Sequence, residues 1–309
     1  MEFLLNGSKS LRQVLIPDEE RLVCALGCFD GVHIGHRALI REVLSDRNGL
    51  TGAVWTFSEP LAKPFIEKVE DRLHILSELG VKYAVCESYE KVKDMSAMAF
   101  LEYLYSKLGV RRIVCGTDFR FGKDREGDVE FIKQNAPDIG MEVTVIEPVY
   151  ADIGGERVKA SSTTIRSFIS EGKMREADVL LGRRFSVTGV VVSGNNLGRT
   201  IQVPTLNQRF EKGRIIPKHG VYETVCVADS IRYPAITNVG TRPTVSGGST
   251  EINCETHIIG QKLDLYGSIV SVEFYDYVRE EKKFDSLQAL RDQIEKDIAQ
   301  SVSSFRKRF

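Results

Sequence analysis

The stretch that decides the fold of the first half of the chain is Gly27-Cys28-Phe29-Asp30-Gly31-Val32-His33-Ile34-Gly35-His36. A short apolar run over residues 22–26 precedes it and is typical of a buried parallel strand. After it, apolar residues recur at helical spacing, at Leu39, Ile40, Val43 and Leu44. The stretch therefore predicts a strand, a glycine-rich turn and a helix. This arrangement directs backbone N–H groups and the positive end of a helix dipole toward a phosphate.

Two histidines of this stretch, His33 and His36, stand at the start of the predicted helix. Both rings can donate hydrogen bonds to phosphate oxygens, and Gly35 between them lets the backbone approach a ligand closely. The alternative is a glycine turn with two incidental surface histidines. Because Gly27 and Asp30 precede the pair and the chain has only 5 histidines, we interpret the stretch as a phosphate site.

Composition excludes several functional classes. A chain of 309 residues is long enough for two domains, and 42 basic against 43 acidic residues predict no broad surface for nucleic acid. We find no membrane-spanning run and no signal peptide, so we expect a cytoplasmic protein without a membrane partner. The 6 cysteines are expected to be reduced and buried, including Cys24 and Cys28, whose spacing is read as core packing rather than metal binding.

Strands and helices alternate up to about residue 180. The predicted strands cover residues 22–26, 52–57, 83–86, 113–116 and 142–146. Further helices are predicted over residues 70–79 and 96–108, with Ser96 as the cap and Gly109 as the stop of the second, and a short one near 129–134. This alternation predicts a Rossmann-like α/β domain, whose parallel sheet binds ligands at the carboxyl ends of its strands.

Two more polar clusters follow predicted strands in this half. Residues 116–123 combine glycine, aromatic and basic side chains, which can stack a ring and neutralise phosphate or can form an ordinary solvated loop. Ser161-Ser162-Thr163-Thr164-Ile165-Arg166 fits a helix start capped by hydroxyls and fits a polyphosphate site equally well.

The pattern changes after residues 181–184. Short β-branched and aromatic runs follow at residues 185–192, 220–227, 235–239, 254–259 and 269–277. They predict a small antiparallel β-barrel, closed by a terminal helix that Asp285 caps with Gln288 three residues on. We place the domain boundary near residue 182, which separates residues 1–182 from residues 183–309.

The second half carries its own polar residues. The loop from Gly194 through Gly198 to Arg199 is suited to wrapping phosphate, and Thr205 and Asn207 offer oxygen ligands of the kind Mg²⁺ takes. Glu255 lies in a predicted strand. Its carboxylate is either a general base or a solvent-facing strand residue.

These segments together resemble the bacterial bifunctional riboflavin kinase/FAD synthetase family. Residues 27–36 are similar to its Gly-x-Phe-Asp-Gly-Val-His-x-Gly-His, residues 116–122 to its Gly-x-Asp-Phe-x-Phe-Gly, and residues 161–166 to its Ser-Ser-Thr-x-Ile-Arg. Gly198-Arg199 with residues 204–207 resembles its Gly-Arg…Pro-Thr-x-Asn. Later blocks match at Pro217 with residues 220–222, at residues 238–244, 255–257 and 265–267, and at Arg279 with Phe284. The resemblance covers essentially the whole chain.

The resemblance implies two reactions on two domains. The barrel would transfer the γ-phosphoryl group of ATP to the riboflavin 5′-hydroxyl, with Glu255 as general base and Thr205 and Asn207 holding Mg²⁺. The first domain would join the FMN phosphate to the α-phosphorus of ATP, giving FAD and pyrophosphate, while His33 and His36 stabilise charge. The small-molecule partners would be riboflavin, FMN, FAD, ATP and ADP.

The resemblance also assigns binding residues. Ser161, Ser162, Thr163 and Arg166 would steady the β- and γ-phosphates, and Asp118 and Phe119 would lie near the substrate. The other implied substrate- or nucleotide-binding residues are Gly27, Phe29, Asp30, Gly35, Gly194, Gly198, Arg199, Pro204, Asn238 and Arg279.

Three alternatives share part of these features. A class I aminoacyl-tRNA synthetase uses His-x-Gly-His but needs a lysine-rich second signature and a tRNA-binding surface, which the neutral charge balance and short chain argue against. A lone adenylyltransferase leaves the barrel motifs without a role. A non-enzymatic flavin-binding regulator requires neither Glu255 nor the two histidines.

Overall fold

The structure is a computed structural model that describes the chain except residues 1, 5–11, 14–15, 46–48, 63, 193–202, 244–249 and 309. The chain divides into two compact units, Met1–Ser162 and Thr163–Phe309. The stretch between residue 163 and the predicted boundary near 182 belongs to the second unit by its contacts. The boundary at 182, as a division between two activities, stays a prediction.

The first unit is built on a sheet of seven strands. They are β1 (Glu2–Leu4), β2 (Arg12–Gln13), β3 (Leu22–Leu26), β4 (Thr51–Phe57), β5 (Tyr83–Glu87), β6 (Val110–Gly116) and β7 (Glu142–Ile146), in the order β2-β1-β5-β4-β3-β6-β7. Strands β3 to β7 are parallel, and β1 and β2 add an antiparallel edge. The five predicted strands and their parallel arrangement are confirmed.

Helices cover both faces of this sheet. They are α1 (Ile34–Leu44), α2 (Val69–Glu78), α3 (Tyr89–Val92), α4 (Ala97–Leu108) and α5 (Val129–Ile139), with a 3₁₀ turn at Lys123–Arg125 and a hairpin of β8 (Tyr150–Ile153) and β9 (Glu156–Lys159). The central strand β3 has apolar side chains on both faces, and each face is covered by helices. Leu22, Cys24 and Leu26 point into the core under α4 and α5. Val23 and Ala25 point into the core under α1 and α2. Buried on both faces, β3 carries no polar side chain.

The second unit begins with two helices and continues as a barrel. The helices are α6 (Ser162–Glu171), whose first residue lies at the division, and α7 (Met174–Leu181). The strands are β10 (Ser186–Val190), β11 (Leu206–Arg209), β12 (Gly220–Ala228), β13 (Ile231–Pro243), β14 (Thr250–Ile258) and β15 (Ile269–Arg279). All their pairings are antiparallel, in the order β10-β15-β12-β13-β14-β11, and a bridge between Val192 and Asn207 nearly closes the barrel. The predicted barrel is confirmed.

The terminal helix α8 (Leu287–Arg308) packs on the outside of this barrel. Strand alternation sends Leu206, Cys226 and Ala235 into the barrel interior. The opposite face carries Val225 and Tyr275 against Phe305 of α8. The barrel therefore has an apolar interior and an outer surface that one helix partly covers.

Four predictions differ from the structure in detail. Helix α5 extends to Ile139, beyond the predicted end near 134. Strand β11 was not predicted, because Asn207, Gln208 and Arg209 follow its single apolar residue and show no alternation. Ser286, rather than Asp285, caps α8, with its Oγ accepting the N–H of Ala289 at 3.1 Å. Cys28 is exposed, whereas the other five cysteines are buried.

Candidate active sites

The loop between β3 and α1 has an unusual backbone. Phe29 and Val32 have φ of 52° and 39°, a region that non-glycine residues, and β-branched ones above all, rarely adopt. Asp30 helps to hold this conformation, since its Oδ1 accepts the N–H of Ile66 at 2.8 Å and of Glu67 at 3.1 Å. The Ser162 hydroxyl also donates to the Asp30 carbonyl at 2.8 Å. The Asp30 carboxylate therefore accepts hydrogen bonds from the backbone of Ile66 and Glu67.

The two histidines form one stacked unit at the start of α1. His33 is the N-cap, and its Nδ1 accepts the backbone N–H of His36 at 3.3 Å. The two rings stack with centroids 3.7 Å apart. Because Nδ1 of His33 accepts, the neutral ring carries its proton on Nε2, which is a hydrogen-bond donor. A Cβ on Gly35 would lie 3.0 Å from Cε1 of His33, so only glycine leaves room for this ring position.

Both imidazoles are uncharged at neutral pH. Burial lowers the pKa of His33 to about 4, a shift that Asp118 opposes and Lys159 reinforces. Burial, followed by the charges of His33 and Arg72, lowers the pKa of His36 well below its ordinary value. The pair therefore consists of two neutral rings rather than two cations.

A cavity of about 750 Å³ opens in front of these rings, within the size range of ligand pockets. Leu26, Phe57, Gly116 and Ile146 line it, which are residues at the carboxyl ends of four parallel strands. Eight of the residues singled out from the sequence also line it: Gly27, His33, Gly35, His36, Asp118, Phe119, Ser161 and Ser162. The parallel sheet has brought separate motifs together where such folds bind ligands.

Three other residues predicted to bind substrate or nucleotide in this half do not line the cavity. Phe29 is fully buried and packs on the His36 ring, with centroids 4.9 Å apart. Thr163 and Arg166 belong to the second unit, where the Arg166 guanidinium donates to the Thr163 hydroxyl at 3.2 Å. Their role toward phosphate stays a prediction.

Two side chains at or near the cavity, Lys159 and Arg72, were not predicted from the sequence. Lys159, at the end of β9, lines the cavity and pairs with Asp118 at 3.0 Å between Nζ and Oδ2. Beneath the loop, the Arg72 guanidinium donates to the Cys28 carbonyl at 2.6 Å. Neither belongs to a quoted motif, and each lies more than thirty residues from its partner in sequence, so no local pattern marks it.

In the second unit, strand register assembles the predicted kinase residues into one row. Asn207 of β11 pairs with Glu255 of β14, and Glu255 pairs with Asn238 of β13. Val221 of β12 then pairs with both Asn238 and Arg279 of β15. Directly paired residues project from the same face of a sheet, so the four polar side chains share the outer face of the barrel.

A cavity of about 200 Å³ lies over this row. Thr205, Asn238, Glu255 and Arg279 line it together with Leu290 and Ile294 of α8. Its polar side chains also contact one another: Arg279 makes a bidentate ion pair with Asp297, with Nη2 and Oδ2 2.7 Å apart. The amide nitrogen of Asn238 donates to Glu281 at 3.0 Å. Sequence reasoning missed Asp297 and Glu281.

Of the two residues predicted to hold a cation, Thr205 lines this cavity and Asn207 does not. Asn207 is 5% exposed, and its amide nitrogen donates to the Thr205 carbonyl at 3.4 Å, which leaves the amide oxygen for a cation. Nδ1 of His257 donates to the Pro204 carbonyl at 2.8 Å and so braces the segment before Thr205. Burial lowers the pKa of His257. Gly194, Gly198 and Arg199 lie outside the described residues.

Two further observations concern metal ligands and membrane-spanning helices in the part of the chain that the structure describes. Among the described residues, no group of three or more His, Cys, Asp or Glu side chains is placed to hold a metal ion. A Mg²⁺ site at Thr205 and Asn207 stays a prediction; both residues offer neutral oxygens, and Mg²⁺ takes few protein ligands. In the part of the chain that the structure describes, no helix has the length and apolarity needed to cross a membrane.

Comparison with known proteins accounts for nearly the whole chain. The FAD synthetase family model matches residues 15–164, and the riboflavin kinase family model matches residues 181–305. Bifunctional riboflavin kinase/FMN adenylyltransferases of Escherichia coli (strain K12) and Pseudomonas fluorescens are each 33% identical to the chain. These alignments cover 95% of both chains for the first and 96% for the second.

A solved structure with the same architecture comes from Streptococcus pneumoniae, where it is described as a macrolide-efflux protein. It superposes with a TM-score of 0.79 at 32% identity, over 91% of this chain and 94% of that one. The FAD synthetase match lies in the first unit except for its last two residues, and the riboflavin kinase match lies within the second unit. The chain belongs to the bifunctional riboflavin kinase/FMN adenylyltransferase family.

Proposed function

We propose that each unit carries one of the two reactions of this family. The second unit phosphorylates riboflavin with ATP to give FMN, and the first unit joins FMN to the AMP part of a second ATP to give FAD. The observation that supports this division is that each unit has its own cavity, lined by the motif residues of one reaction.

In FAD formation, a phosphate oxygen of FMN attacks the α-phosphorus of ATP, and the bond to the bridging oxygen breaks as pyrophosphate leaves. The substrate supplies the nucleophile, so the protein's contribution is to position the phosphates and to stabilise charge. His33 donates from Nε2 and His36 from its ring to the oxygens that gain charge. Neutral donors suit this role because they keep the same protonation state throughout the reaction.

The remaining residues of the first site would hold the substrates. Ser161 and Ser162, which line the large cavity, would bind the β- and γ-phosphates, and the proposal extends to Thr163 and Arg166. Asp118 and Phe119 would lie beside the substrate. Stacking of Phe119 on Phe121, with centroids 5.5 Å apart, supports a fixed aromatic surface there.

In FMN formation, the riboflavin 5′-hydroxyl attacks the γ-phosphorus of ATP and ADP leaves. Glu255 would accept the hydroxyl proton as the new bond forms. Its position between Asn207 and Asn238 on the cavity wall supports this role. Arg279, Asn238 and Pro204 would position flavin or nucleotide, and Gly194, Gly198 and Arg199 would close over the phosphates.

We further propose Mg²⁺ as the cofactor of the kinase site. The Thr205 hydroxyl and the Asn207 amide oxygen would hold it, and it would neutralise charge on the ATP phosphates when bound. Riboflavin, FMN, FAD, ATP and ADP are the proposed partners. A cytoplasmic location is supported by six cysteines that are all free thiols.

The experiment is a product assay with riboflavin, ATP and Mg²⁺, in which FMN and then FAD are expected by chromatography. His36→Ala should spare FMN formation and abolish FAD formation. Glu255→Ala should spare the conversion of supplied FMN to FAD and lower FMN formation by about 10²- to 10⁴-fold, the usual contribution of a general base. Chelation of Mg²⁺ should stop FMN formation.

Each contrary result has a defined meaning. Loss of both activities in either variant, with folding intact, would refute the assignment of one reaction to each unit. Accumulation of FMN alone by the unaltered protein would leave only the kinase half. Flavin binding without any product would favour a regulator that binds flavin.

A further inference from the structure

Arg72 is a buried arginine that bridges two strand ends beside the large cavity. It projects from α2 and is only 2% exposed. Nη1 donates to the Cys28 carbonyl at 2.6 Å, and Nη2 donates to the Phe57 carbonyl at 2.5 Å. Cys28 follows β3 and Phe57 ends β4, and these strands are parallel neighbours in the sheet. One planar guanidinium thus joins the two backbone segments where the ligand cavity begins.

Both bridged residues belong to the cavity itself. Cys28 and Phe57 line it, and Cys28 opens the loop that leads to His33. A displacement of either carbonyl would therefore move part of the wall against which substrate packs. Arg72 does not line the large cavity; it lines an adjoining cavity of about 160 Å³, which Cys28 and Phe57 also border.

The loop that Arg72 holds needs support from outside. Phe29 and Val32 adopt positive φ values, which cost conformational energy that surrounding contacts must offset. The contacts to Asp30 secure the middle of the loop. At its start, the Cys28 carbonyl accepts from Arg72 and, at 3.0 Å, from the Thr56 hydroxyl. Thr56 belongs to β4, so its hydroxyl also links the loop to that strand, and Arg72 adds the bond to the Phe57 carbonyl at the strand's last residue.

A guanidinium is suited to this position in a way that lysine is not. Its planar fork donates in two fixed directions at once, whereas an ammonium is a single point donor on a flexible stem. Burial of a charged group is costly, and the nearby charges of Asp30 and Glu70 offset part of that cost. What the guanidinium adds at this place is two directed hydrogen bonds to the ends of neighbouring strands.

We propose that Arg72 is a positioning residue of FAD formation, which holds the loop carrying His33 and His36 in register with the end of β4. It touches neither substrate in this role. The inference rests on the proposed assignment of FAD formation to the first unit. It adds that the catalytic geometry depends on a guanidinium outside every quoted motif.

The test compares Arg72→Met and Arg72→Lys with Arg112→Met in the full-length protein. Arg112 is a matched control because it lies on β6 of the same unit, with 14% of its side chain exposed, and pairs with Glu42 at 3.6 Å outside the cavity. Conversion of supplied FMN to FAD is measured as kcat and as KM for FMN and ATP. Conversion of riboflavin to FMN by the other unit serves as an internal control.

Arg72→Met should lower kcat for FAD formation by about 10²-fold, since small misplacements of catalytic groups have effects of this size. KM for both substrates should change by less than about threefold, because ground-state contacts remain. Arg72→Lys should lower kcat about tenfold, since lysine keeps the positive charge but can form only one of the two hydrogen bonds to the Cys28 and Phe57 carbonyls. Arg112→Met should match the unaltered protein, and no variant should change FMN formation.

The inference is overturned if Arg72→Met keeps its kcat, if its loss appears in KM alone, or if Arg112→Met loses as much. If Arg72→Met fails to unfold cooperatively on heating, Arg72→Lys decides by the same kcat criterion. His36→Ala, assayed in parallel, separates two kinds of failure. An active His36→Ala would refute the assignment of the site, whereas an inactive His36→Ala with a fully active Arg72→Met would refute only the role of Arg72.

Discussion

His33 has two tasks that use different ring nitrogens. Nδ1 caps α1 by accepting the N–H of His36, and this bond leaves Nε2 as the protonated donor on the cavity wall. Protonation of Nδ1 would remove the cap and add a buried charge. The burial that keeps the ring neutral therefore makes the start of α1 sensitive to acid.

The first unit is predicted to lose stability as pH falls from about 6.5 to about 4. The pKa of His33 moves from 6.5 to about 4 on folding, so within this window the unfolded chain binds more protons. The free energy of unfolding should fall by about 3 kcal/mol from this group. Urea denaturation followed by fluorescence of Trp55, the single tryptophan and a core residue of the first unit, measures it.

Two variants check that prediction. His33→Asn retains an N-cap acceptor but cannot titrate, so its stability should depend less steeply on pH over the same range. His74→Gln, at a histidine with 60% of its side chain exposed and 3.4 Å from Glu78, serves as the surface control. Equal slopes for His33→Asn and the unaltered protein would contradict the assignment.

At the scale of elements, the ends of α4 show how local chemistry sets a boundary. The Ser96 hydroxyl accepts the N–H of Ala99 at 3.1 Å, and Gly109 ends the helix with φ of 70°. A Cβ on Gly109 would lie 2.6 Å from the Glu20 carbonyl oxygen, so glycine is required there for space as well as for conformation. Both ends were predicted from the sequence and are confirmed.

Ser96→Ala is predicted to lower the free energy of unfolding of the first unit by about 1 kcal/mol, the usual value of an N-cap hydroxyl. Ser88, at the same position before α3, makes no capping hydrogen bond through its side chain. Ser88→Ala should therefore change stability little. Trp55 fluorescence in urea gives both values, and equal effects of the two substitutions would show that the Ser96 bond is not responsible.

At the scale of the whole molecule, each compact unit contains its own cavity. In the proposed division of the two reactions, FMN is the product of one cavity and the substrate of the other. We predict that a mixture of His36→Ala and Glu255→Ala proteins converts riboflavin to FAD, because one variant supplies FMN and the other consumes it. FAD should appear after a lag in which free FMN accumulates.

The controls for this mixture are the two variants alone. His36→Ala should stop at FMN, and Glu255→Ala should leave riboflavin almost unchanged. Failure of the mixture, with each variant active in its own half-reaction, would mean that FMN does not pass between protein molecules and that the two sites do not act separately.

The sequence by itself determined the features that depend on neighbouring residues. Apolar runs of four to six residues predicted the parallel strands, helical periodicity predicted α2 and α4, and Ser96 and Gly109 marked the ends of α4. The motifs around His33, Asp118 and Glu255 carried the family resemblance that implied both reactions. Each of these signals is local, because side-chain periodicity and capping act over one or two turns.

Only the tertiary structure decided the contacts between distant segments. It placed the Asp30 carboxylate on the backbone of Ile66 and Glu67, paired Arg279 with Asp297, and set Arg72 beneath Cys28 and Phe57. It also made β11 a strand by pairing it with β14. A local sequence pattern predicts which side chains of a segment are buried. The hydrogen-bond partner of a buried polar or charged side chain depends instead on which distant segments the fold brings close to it.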